Sequence, residues 1–366
     1  MKNTFFGDRV FFLIVCVLVI GGLAIFASAA LGLLARVDSS PEKLALTQLV
    51  FGLIPGALAI LVLRVTPTAF IQRITPVLYG LGILVTLLVF TPLGSTINGA
   101  RRWIDVGFTT IQPSEFLKIG VVLMLAWYLA KVKTEIHQIT KGLIPFLIIL
   151  GIPAAVLIAE PNTSTVIVLG ITGVAMFVTA GASWRDVGML GLIALILFGT
   201  LVAVHPYLLK RVNTFLDPSH DPLSSGYQIQ QSLIAIGSGG VAGRGFGQSV
   251  QKFNYLPEPV GDSIFAVYGE EFGFIGALLV VLLFVAFAAR GLSIAADAST
   301  LFGSLAVTGL TLMITISAFL NIGAMLALVP LTGLPLPFIS HGGTALFAAL
   351  ISVGLILNIA AGRKRR

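Results

Sequence analysis

Repeated apolar runs of roughly 20 residues constrain the fold of this chain more than any other feature. A helix of that length spans the hydrocarbon core of a bilayer, where every backbone polar group must find a partner inside the protein. Only 10% of the 366 residues are charged, whereas soluble domains carry about 25%. The sequence therefore predicts an all-α, polytopic membrane protein.

Breaks in the apolar runs divide the chain into ten predicted membrane helices. The first run is too long for a signal peptide, so it is assigned to a membrane helix. Helices 7 and 8 are separated by a long loop, about 206–262, whose aromatic residues predict an ordered segment. We expect a single membrane domain over residues 1–366, with helices near 10–35, 44–64, 74–92, 114–131, 142–159, 164–181, 187–205, 263–289, 301–329 and 339–361.

Lysine and arginine determine the predicted orientation. They are in excess on the short segments that share a side with the N-terminus, and residues 363–366 are all basic. Cytoplasmic loops carry such an excess, so both termini are expected in the cytoplasm and the 206–262 loop outside it. The net charge of +7 comes mostly from residues that flank the predicted helices, which predicts contact with anionic lipid and no nucleic-acid binding.

The segment 97–120 concentrates polar residues before the fourth predicted helix. Glu115 and Lys118 are spaced i,i+3, so they lie on one face of that helix and can pair. One interpretation is an ion pair that lets two polar groups enter the bilayer. The other is a cationic site for a phosphate-bearing lipid, formed by Lys118, Arg101 and Arg102, because arginine suits bidentate phosphate contacts.

The segment 226–271 combines glycines with acids. Its run GSGGVAGRGFGQS follows no predicted strand, so a nucleotide loop is disfavoured; the glycines are expected to let the backbone approach a ligand or another loop. Glu270 and Glu271 are adjacent in the eighth helix and point to different faces, so at least one should face a polar interior. Asp262 stands at the start of this helix, as an N-cap or as a general base at the membrane surface.

Several motifs occur together in one order: GARRWI with QPSEFLKI, EPNTST, QQSLIAIGSGG with GRGFGQS, LPE with DSIFAV and GFIGALL, NIG, and GLPLPFISHGG. With these motifs the chain resembles the SEDS family (shape, elongation, division and sporulation) from about residue 10 to 361. Within the family, GLPLPFIS and DSIFAV favour a division member (FtsW-like) over an elongation member (RodA-like).

The resemblance implies a ten-helix bundle that polymerises peptidoglycan glycan strands from lipid II on the outer face of the cytoplasmic membrane. It also implies a class B penicillin-binding transpeptidase as partner. Many members have His-Thr before the essential aspartate and Phe after it, whereas this chain has Val260-Gly261 and Ser263. His341 stands where Tyr is common. By position, the resemblance assigns the essential aspartate, the acid–base pair of the fourth helix and the arginine pair to Asp262, Glu115, Lys118, Arg101 and Arg102.

Transfer from an α-linked diphosphate donor to a β-linked product is one inverting displacement. It requires a base on the attacking hydroxyl and positive charge at the departing diphosphate. Asp262 is the predicted base, and Glu115 is expected to orient Lys118. The predicted ligands of the leaving group are Arg101, Arg102 and Lys118 and, more weakly, Arg211 and Arg244.

Two other functions stay open at this point. A lipid II flippase is one, although its polar groups would be expected near the bilayer midplane, whereas here they lie at the outer edge. A non-catalytic scaffold for the transpeptidase is the other. No cofactor is required, and a divalent cation, Mg²⁺ or Mn²⁺, is an option on the diphosphate, since no cluster of ligands demands one.

Overall fold

The computed structural model describes residues 7–35, 41–97, 99–107, 109–217, 221 and 224–362. The basic tail at 363–366 therefore lies outside the described residues. Helices dominate the described chain: α1 Arg9–Leu31, α2 Pro41–Thr47, α3 Ile54–Val65, α4 Thr68–Leu87, α5 Pro113–Lys131, α6 Leu143–Ala159, α7 Thr163–Thr179, α8 Trp184–Val204, α9 Pro206–Leu216, α10 Ser225–Ser238, α11 Ile264–Ala296, α12 Leu301–Met325 and α13 Gly343–Ala361.

Eight helical segments in the described residues are long and apolar enough to cross a membrane: 9–34, 42–65, 68–90, 113–131, 184–204, 264–296, 301–325 and 343–361. Helices α6 and α7 are shorter but also apolar. Each predicted membrane helix overlaps one of these ten segments, while the number that cross the bilayer stays a prediction. The single domain over 1–366 also stays a prediction.

Several predicted helix ends are wrong, and two of them lie at a charged residue. The eighth helix was expected to end at 289, before Arg290, yet α11 continues to Ala296. Arg290 does not end the helix because its guanidinium pairs with the carboxylate of Asp8 at 2.7 Å. Similarly, α4 begins at Thr68 and includes Arg73, because a basic side chain near a helix end can extend its charge toward water.

Helix α12 lies at the centre of the bundle. It packs against α5, α7, α11 and α13, and α11 in turn packs against α1 and α10. Helix α8 is the opposite case, since nearly all of its surface is exposed. The predicted 206–262 loop contains α9 and α10, which pack against each other and, through α10, against α11. This agrees with the expectation of an ordered segment.

A small antiparallel sheet interrupts the all-α pattern between α4 and α5. Its strands are β1 Gly94–Ile97, β2 Ala100–Asp105 and β3 Thr110–Ile111, in the order β1-β2-β3. These strands are not among the elements predicted from the sequence. The register of β1 and β2 shifts at Arg102, and the two arginines have different partners: Arg101 donates to the Thr91 carbonyl, whereas Arg102 donates to the carbonyls of Glu160 and Pro161.

A π-helical stretch, Gln48–Leu53, joins α2 to α3. The buried Gln48 amide donates to the Ser340 carbonyl at 3.2 Å and accepts from the Gly342 amide at 2.9 Å. Short π-helical insertions often occur at functional sites. Here the insertion holds the segment that precedes α13 in place beside Asp262.

Candidate active site

Asp262 lies in a tight turn just before α11. Glu258 begins the turn with a positive φ of 47°, and its carbonyl accepts hydrogen bonds from the amides of Gly261 at 3.0 Å and Ser263 at 3.2 Å. Backbone in this sparsely populated region is often found at functional sites. Ser263, not Asp262, is the N-cap residue of α11, so the cap interpretation of Asp262 is wrong.

The turn is held from its other side by three hydrogen bonds. The carbonyls of residues 260, 261 and 262 accept, in that order, from the His341 amide at 2.7 Å, Ser340 Oγ at 2.7 Å and Asn321 Nδ2 at 2.8 Å. The His341 ring stacks on Phe26, with 5.7 Å between the ring centroids. The backbone of the turn is therefore fixed independently of the Asp262 side chain.

The Asp262 carboxylate has one side-chain hydrogen-bond donor among the described residues, Gln228 of α10. Gln228 Nε2 donates to Asp262 Oδ1 at 3.2 Å and to Ser263 Oγ at 2.9 Å. Burial raises the pKa of Asp262 from 3.8 to about 6, and the Glu258 charge adds to this rise, while the Gln228 hydrogen bond and the Arg211 charge oppose it. The side chain is half-buried, so it combines a raised basicity with access to a substrate.

Arg102 and Arg211 form a pair of cations at the same end of the bundle. Arg102 Nε donates to the Glu160 carbonyl at 3.1 Å, and its Nη2 donates to the carbonyl of Pro161. Burial lowers the pKa of both arginines; the neighbouring Arg211 charge lowers that of Arg102 further, whereas Asp262 acts to raise that of Arg211. Two guanidiniums that repel each other beside a carboxylate suit a bound anion.

Arg211 also lines a cavity of about 220 Å³ between α7, α8, α9 and α12. Thr163 and Ser164 contribute hydroxyl groups to it, and Thr163 Oγ1 hydrogen-bonds the Tyr207 hydroxyl. The other side chains are mostly apolar, including Ile167, Phe198, Val202, Leu208, Val212 and Leu320. The cavity therefore has a cationic group beside a largely hydrocarbon wall.

Glu160 was not predicted as a site residue. Its side chain is fully buried, and within the described residues neither carboxylate oxygen has a hydrogen-bond partner. Burial raises its pKa to about 8, against the opposing charge of Arg102. The sequence feature that could have identified Glu160 is its position directly after a long apolar run.

Glu115 and Lys118 form the predicted ion pair on α5, with Lys118 Nζ 2.9 Å from Glu115 Oε1. Both side chains are nearly buried, and they line a cavity of about 30 Å³ with Leu334 and Pro335. That volume has room for a water molecule. The pairing is confirmed, while a phosphate role for Lys118 stays a prediction.

The remaining two predicted arginines make other contacts. The Arg101 guanidinium donates to the Thr91 carbonyl, at the base of the sheet. Arg244 Nε lies 3.5 Å from Glu270 Oε1 on α11. Through their charges, Arg102 and Arg211 act on each other and Arg211 acts on Asp262, whereas Arg101 and Arg244 contact other parts of the chain.

The described residues contain no group of three or more His, Cys, Asp or Glu side chains that could hold a metal ion. The carboxylates of Asp262 and Glu258 lie in one turn, and the Glu258 charge acts on Asp262. Mg²⁺ commonly binds through one or two carboxylates plus substrate phosphates, so such a pair fits an ion that arrives with its substrate. The metal requirement itself stays a prediction.

Comparison with known proteins identifies the family. Residues 8–365 match the FtsW/RodA/SpoVE family, described as cell cycle proteins. This chain belongs to the FtsW/RodA/SpoVE family. The SEDS resemblance is thereby confirmed over almost the whole sequence.

Relatives of this FtsW/RodA/SpoVE member agree with that assignment. Stage V sporulation protein E of Bacillus subtilis is 43% identical over 276 residues, which are 75% of each chain. The probable peptidoglycan glycosyltransferase FtsW of Idiomarina loihiensis is 37% identical over 358 residues, covering 96% of this chain and 86% of the relative. The FtsW names are consistent with the preference for a division-type member.

Solved structures of the FtsW/RodA/SpoVE family share the fold. The rod shape determining protein RodA of Thermus thermophilus aligns with a TM-score of 0.71 and 25% identity over 100% of both chains. A chain from a peptidoglycan synthase complex, solved to explain how polymerization and crosslinking are coordinated, aligns with a TM-score of 0.75 and 28% identity over 94% of this chain and 98% of that chain. The protein is an integral membrane protein with a RodA-like helical fold.

Proposed function

We propose that this protein polymerises lipid II into peptidoglycan glycan strands at the outer face of the cytoplasmic membrane. Asp262 is the general base, and undecaprenyl diphosphate is the leaving group. The observation that carries this proposal is the half-buried Asp262 carboxylate, with a raised pKa and one amide donor, beside the Arg102–Arg211 pair. The relatives named peptidoglycan glycosyltransferase supply the reaction class.

The chemistry needs one displacement. The 4-hydroxyl oxygen of the acceptor sugar forms a bond to the anomeric carbon of the donor, and the bond from that carbon to the diphosphate oxygen breaks. The hydroxyl proton passes to Asp262, and the electron pair of the broken bond leaves on the diphosphate. A carboxylate with a pKa of about 6 is ionised at neutral pH and is a stronger base than an ordinary aspartate.

The leaving group requires positive charge. Arg211 and Arg102 are the principal ligands of the diphosphate in this scheme, because their charges act on each other and the Arg211 charge acts on Asp262. The apolar wall of the cavity beside Arg211 suits a polyprenyl chain. Lys118, oriented by Glu115 and lining a cavity with Leu334, is a further ligand. Arg101 and Arg244 are weaker candidates.

The setting follows from the same scheme. We place both termini in the cytoplasm on the excess of basic residues, which puts Asp262 on the outer side of the cytoplasmic membrane. The peptidoglycan synthase complex in which a structural neighbour was solved supports a class B penicillin-binding transpeptidase as partner. Relatives named FtsW favour a role in division, and the RodA neighbour keeps elongation as the alternative.

The test is a polymerisation assay with the purified protein in lipid vesicles that contain lipid II, with and without a class B transpeptidase. Glycan strands resolved on a gel are expected, and the partner should increase their yield. Lipid II that crosses the bilayer without forming polymer would instead favour a flippase. Neither transport nor polymer in the presence of the partner would leave a scaffold role.

A further inference from the structure

Helix α11 is broken about two and a half turns after its first residue, Ile264, where Gly273 has a φ of 63°. The glycine-rich segment 239–252, which we call the glycine loop, packs into this break. A Cβ on Gly273 would lie 2.4 Å from the amide nitrogen of Gly243, so glycine is required by the close approach as well as by the backbone conformation.

The glycine loop supplies the hydrogen bonds that the broken helix lacks. The amides of residues 244 and 245 donate to the carbonyls of residues 270 and 271 at 3.0 and 2.9 Å. The amides of residues 274 and 275 donate to the carbonyls of residues 240 and 241 at 2.9 and 3.2 Å. The glycines therefore serve another part of the chain, one of the two uses expected from the sequence.

The side chain of Lys252, at the end of the glycine loop, is fully buried. Its Nζ donates to Glu271 Oε1 at 2.7 Å, to the Gly247 carbonyl at 2.9 Å and to Ser28 Oγ of α1 at 3.0 Å. All three ammonium protons thus have an acceptor. A buried ammonium tolerates removal from water only with such partners.

The adjacent Glu270 holds the same stretch of the glycine loop. Its Oε2 accepts from Ser249 Oγ at 2.6 Å and from the Gln251 amide at 3.1 Å, and its Oε1 accepts from the Val250 amide at 3.1 Å. Residues 249–252 are therefore fixed to α11 through four consecutive positions. The expectation that at least one of these glutamates faces a polar interior is met by both.

Gln228 and Asp262, which form the hydrogen bond at the candidate base, lie on either side of the glycine loop in the sequence. Helix α10, which carries Gln228, leads directly into the loop, and the loop leads through residues 253–261 to Asp262. The glycine loop therefore contributes, together with the packing of α10 on α11, to the relative position at which Asp262 and Gln228 meet at 3.2 Å.

We propose that Lys252 and Glu271 are positioning residues: their buried ion pair holds the glycine loop in the break of α11 and thereby keeps Asp262 in place against Gln228. For its catalytic consequence this proposal rests on the proposed function. Neither residue touches the reacting atoms. The third member of the cluster, Ser28, extends the support to α1 by accepting from Lys252 and donating to Glu271 at 2.6 Å.

The opposite end of the same two helices offers a matched control. Asp8 caps α1 by accepting from the Phe11 amide at 2.9 Å. It also binds Arg290 of α11 through two hydrogen bonds, at 3.0 and 2.7 Å. This pair joins α1 to α11 as the Lys252 cluster does, but some 20 helical residues away, about 30 Å at 1.5 Å per residue.

The test compares the double variant Lys252→Met/Glu271→Gln with Asp8→Asn. Removing both charges avoids leaving one buried ion without its partner, which is the change most prone to prevent folding. Three quantities are measured in the full-length protein: the folded fraction, the amide hydrogen exchange of residues 226–238 and 249–263, and the pH profile of polymerisation per folded molecule.

We expect faster exchange in both segments of the double variant and a loss of turnover on the order of tenfold to a hundredfold, with little change in KM, because a misplaced base fails mainly in the chemical step. The acid limb of the pH profile, where the rate falls because Asp262 becomes protonated, should move to lower pH, because water that reaches Asp262 lowers its pKa. In the wild-type protein, the neighbouring groups that influence the pKa of Asp262 are Glu258, Gln228 of α10 and Arg211 of α9. Asp8→Asn should lower only the folded fraction.

Two results would overturn the proposal: wild-type exchange in both segments, or an activity loss that tracks the folded fraction with an unchanged acid limb. Either result would mean that the cluster of Lys252, Glu271 and Ser28 contributes only to stability. If the wild-type protein formed no polymer at all, the proposed function would fall. The exchange of 226–238 and 249–263 would still decide whether Lys252 and Glu271 hold these segments together.

Discussion

Asp262 and Glu271 are two acids on one short stretch of chain, nine positions apart, and the protein treats them in opposite ways. Glu271 is fully buried and accepts from Lys252 at 2.7 Å and from Ser28 at 2.6 Å. Asp262 remains half-exposed, and its one side-chain donor in the described chain is the Gln228 amide at 3.2 Å.

The difference separates a structural acid from a reactive one. The Glu271 carboxylate is enclosed and already accepts from an ammonium and a hydroxyl, so a substrate hydroxyl has no access to it. The Asp262 carboxylate, with one weak donor, a second acid nearby and the Arg211 charge acting on it, stays accessible to a substrate hydroxyl. The environment of each acid, more than its residue type or its depth in the bundle, assigns its role.

The strongest test of this contrast is Asp262→Asn. The substitution keeps the shape and the contact with Gln228 but removes the base, so polymerisation should fall by about 10²–10⁴-fold. The pKa of Asp262 is higher in the folded protein, about 6, than its ordinary 3.8. Its stabilising contribution is thus present below pH 3.8 and lost as the pH rises through 6. At pH 7.5 the asparagine variant should unfold no more easily than the wild type.

Glu271→Gln is the reciprocal control. It leaves the Lys252 ammonium buried without its anion, which should cost about 3–5 kcal/mol of unfolding free energy. Thermal or denaturant unfolding of the two purified variants, with the gel assay for activity, measures both quantities. A fully active Asp262→Asn protein would remove the base assignment.

Local geometry explains what the sequence could predict. The Glu115–Lys118 pair follows from a spacing of three residues on one helix, and the break in hydropathy before Asp262 marked the start of α11. Neither prediction needed to know which helices are neighbours. The glycine-rich run also predicted a close approach of two backbone segments, because glycine has no side chain to prevent it.

Contacts between distant segments explain what could not be predicted. Arg101 and Arg102 are adjacent in the sequence, which predicts one cationic site, but Arg101 donates to the Thr91 carbonyl, whereas Arg102 donates to the carbonyls of Glu160 and Pro161. The actual companion of Arg102 is Arg211, more than a hundred residues later, and Lys252 finds its acceptors on α1 and α11. Such pairings depend on the packing of helices, which no spacing within one segment encodes.

A second prediction compares the cations that face the two acids. Lys252 forms an ion pair with Glu271, whereas Arg211 acts on Asp262 only through its charge and is available to a diphosphate. Arg211→Gln should therefore raise the KM for lipid II by roughly tenfold to a hundredfold, the equivalent of one charged hydrogen bond of about 1.5–3 kcal/mol. Initial rates across a range of lipid II concentrations give this value.

The neighbouring Lys210 supplies the control for Arg211. It lies on the same helix but directs its Nζ to Asp221, at 3.1 Å, and its side chain is exposed. Lys210→Gln removes the same charge from α9 and should leave the KM close to that of the wild type. Equal effects of the two substitutions would indicate a general electrostatic contribution of α9, and would contradict a specific phosphate contact by Arg211.

The smallest expected effect concerns the pH at which the enzyme loses activity because Asp262 becomes protonated. The rate should rise with pH through a midpoint near 6, because the base must be deprotonated. The Glu258 charge raises the pKa of Asp262 and the Gln228 hydrogen bond lowers it. Glu258→Gln should accordingly move the acid limb to lower pH, and Gln228→Leu should move it to higher pH, in assays of initial polymerisation rate from pH 4.5 to 8.

The opposite signs make this pair informative even when the shifts are small. A substitution that merely loosened the site would move the limb in one direction for both variants, because added water always brings an aspartate toward its ordinary pKa of 3.8. Limbs that shift together to lower pH would therefore show that solvent exposure, and not these two neighbours, controls the acid. If the two acid limbs move in opposite directions, the titrating group is Asp262 itself, because Asp262 is the acid on which both Glu258 and Gln228 act.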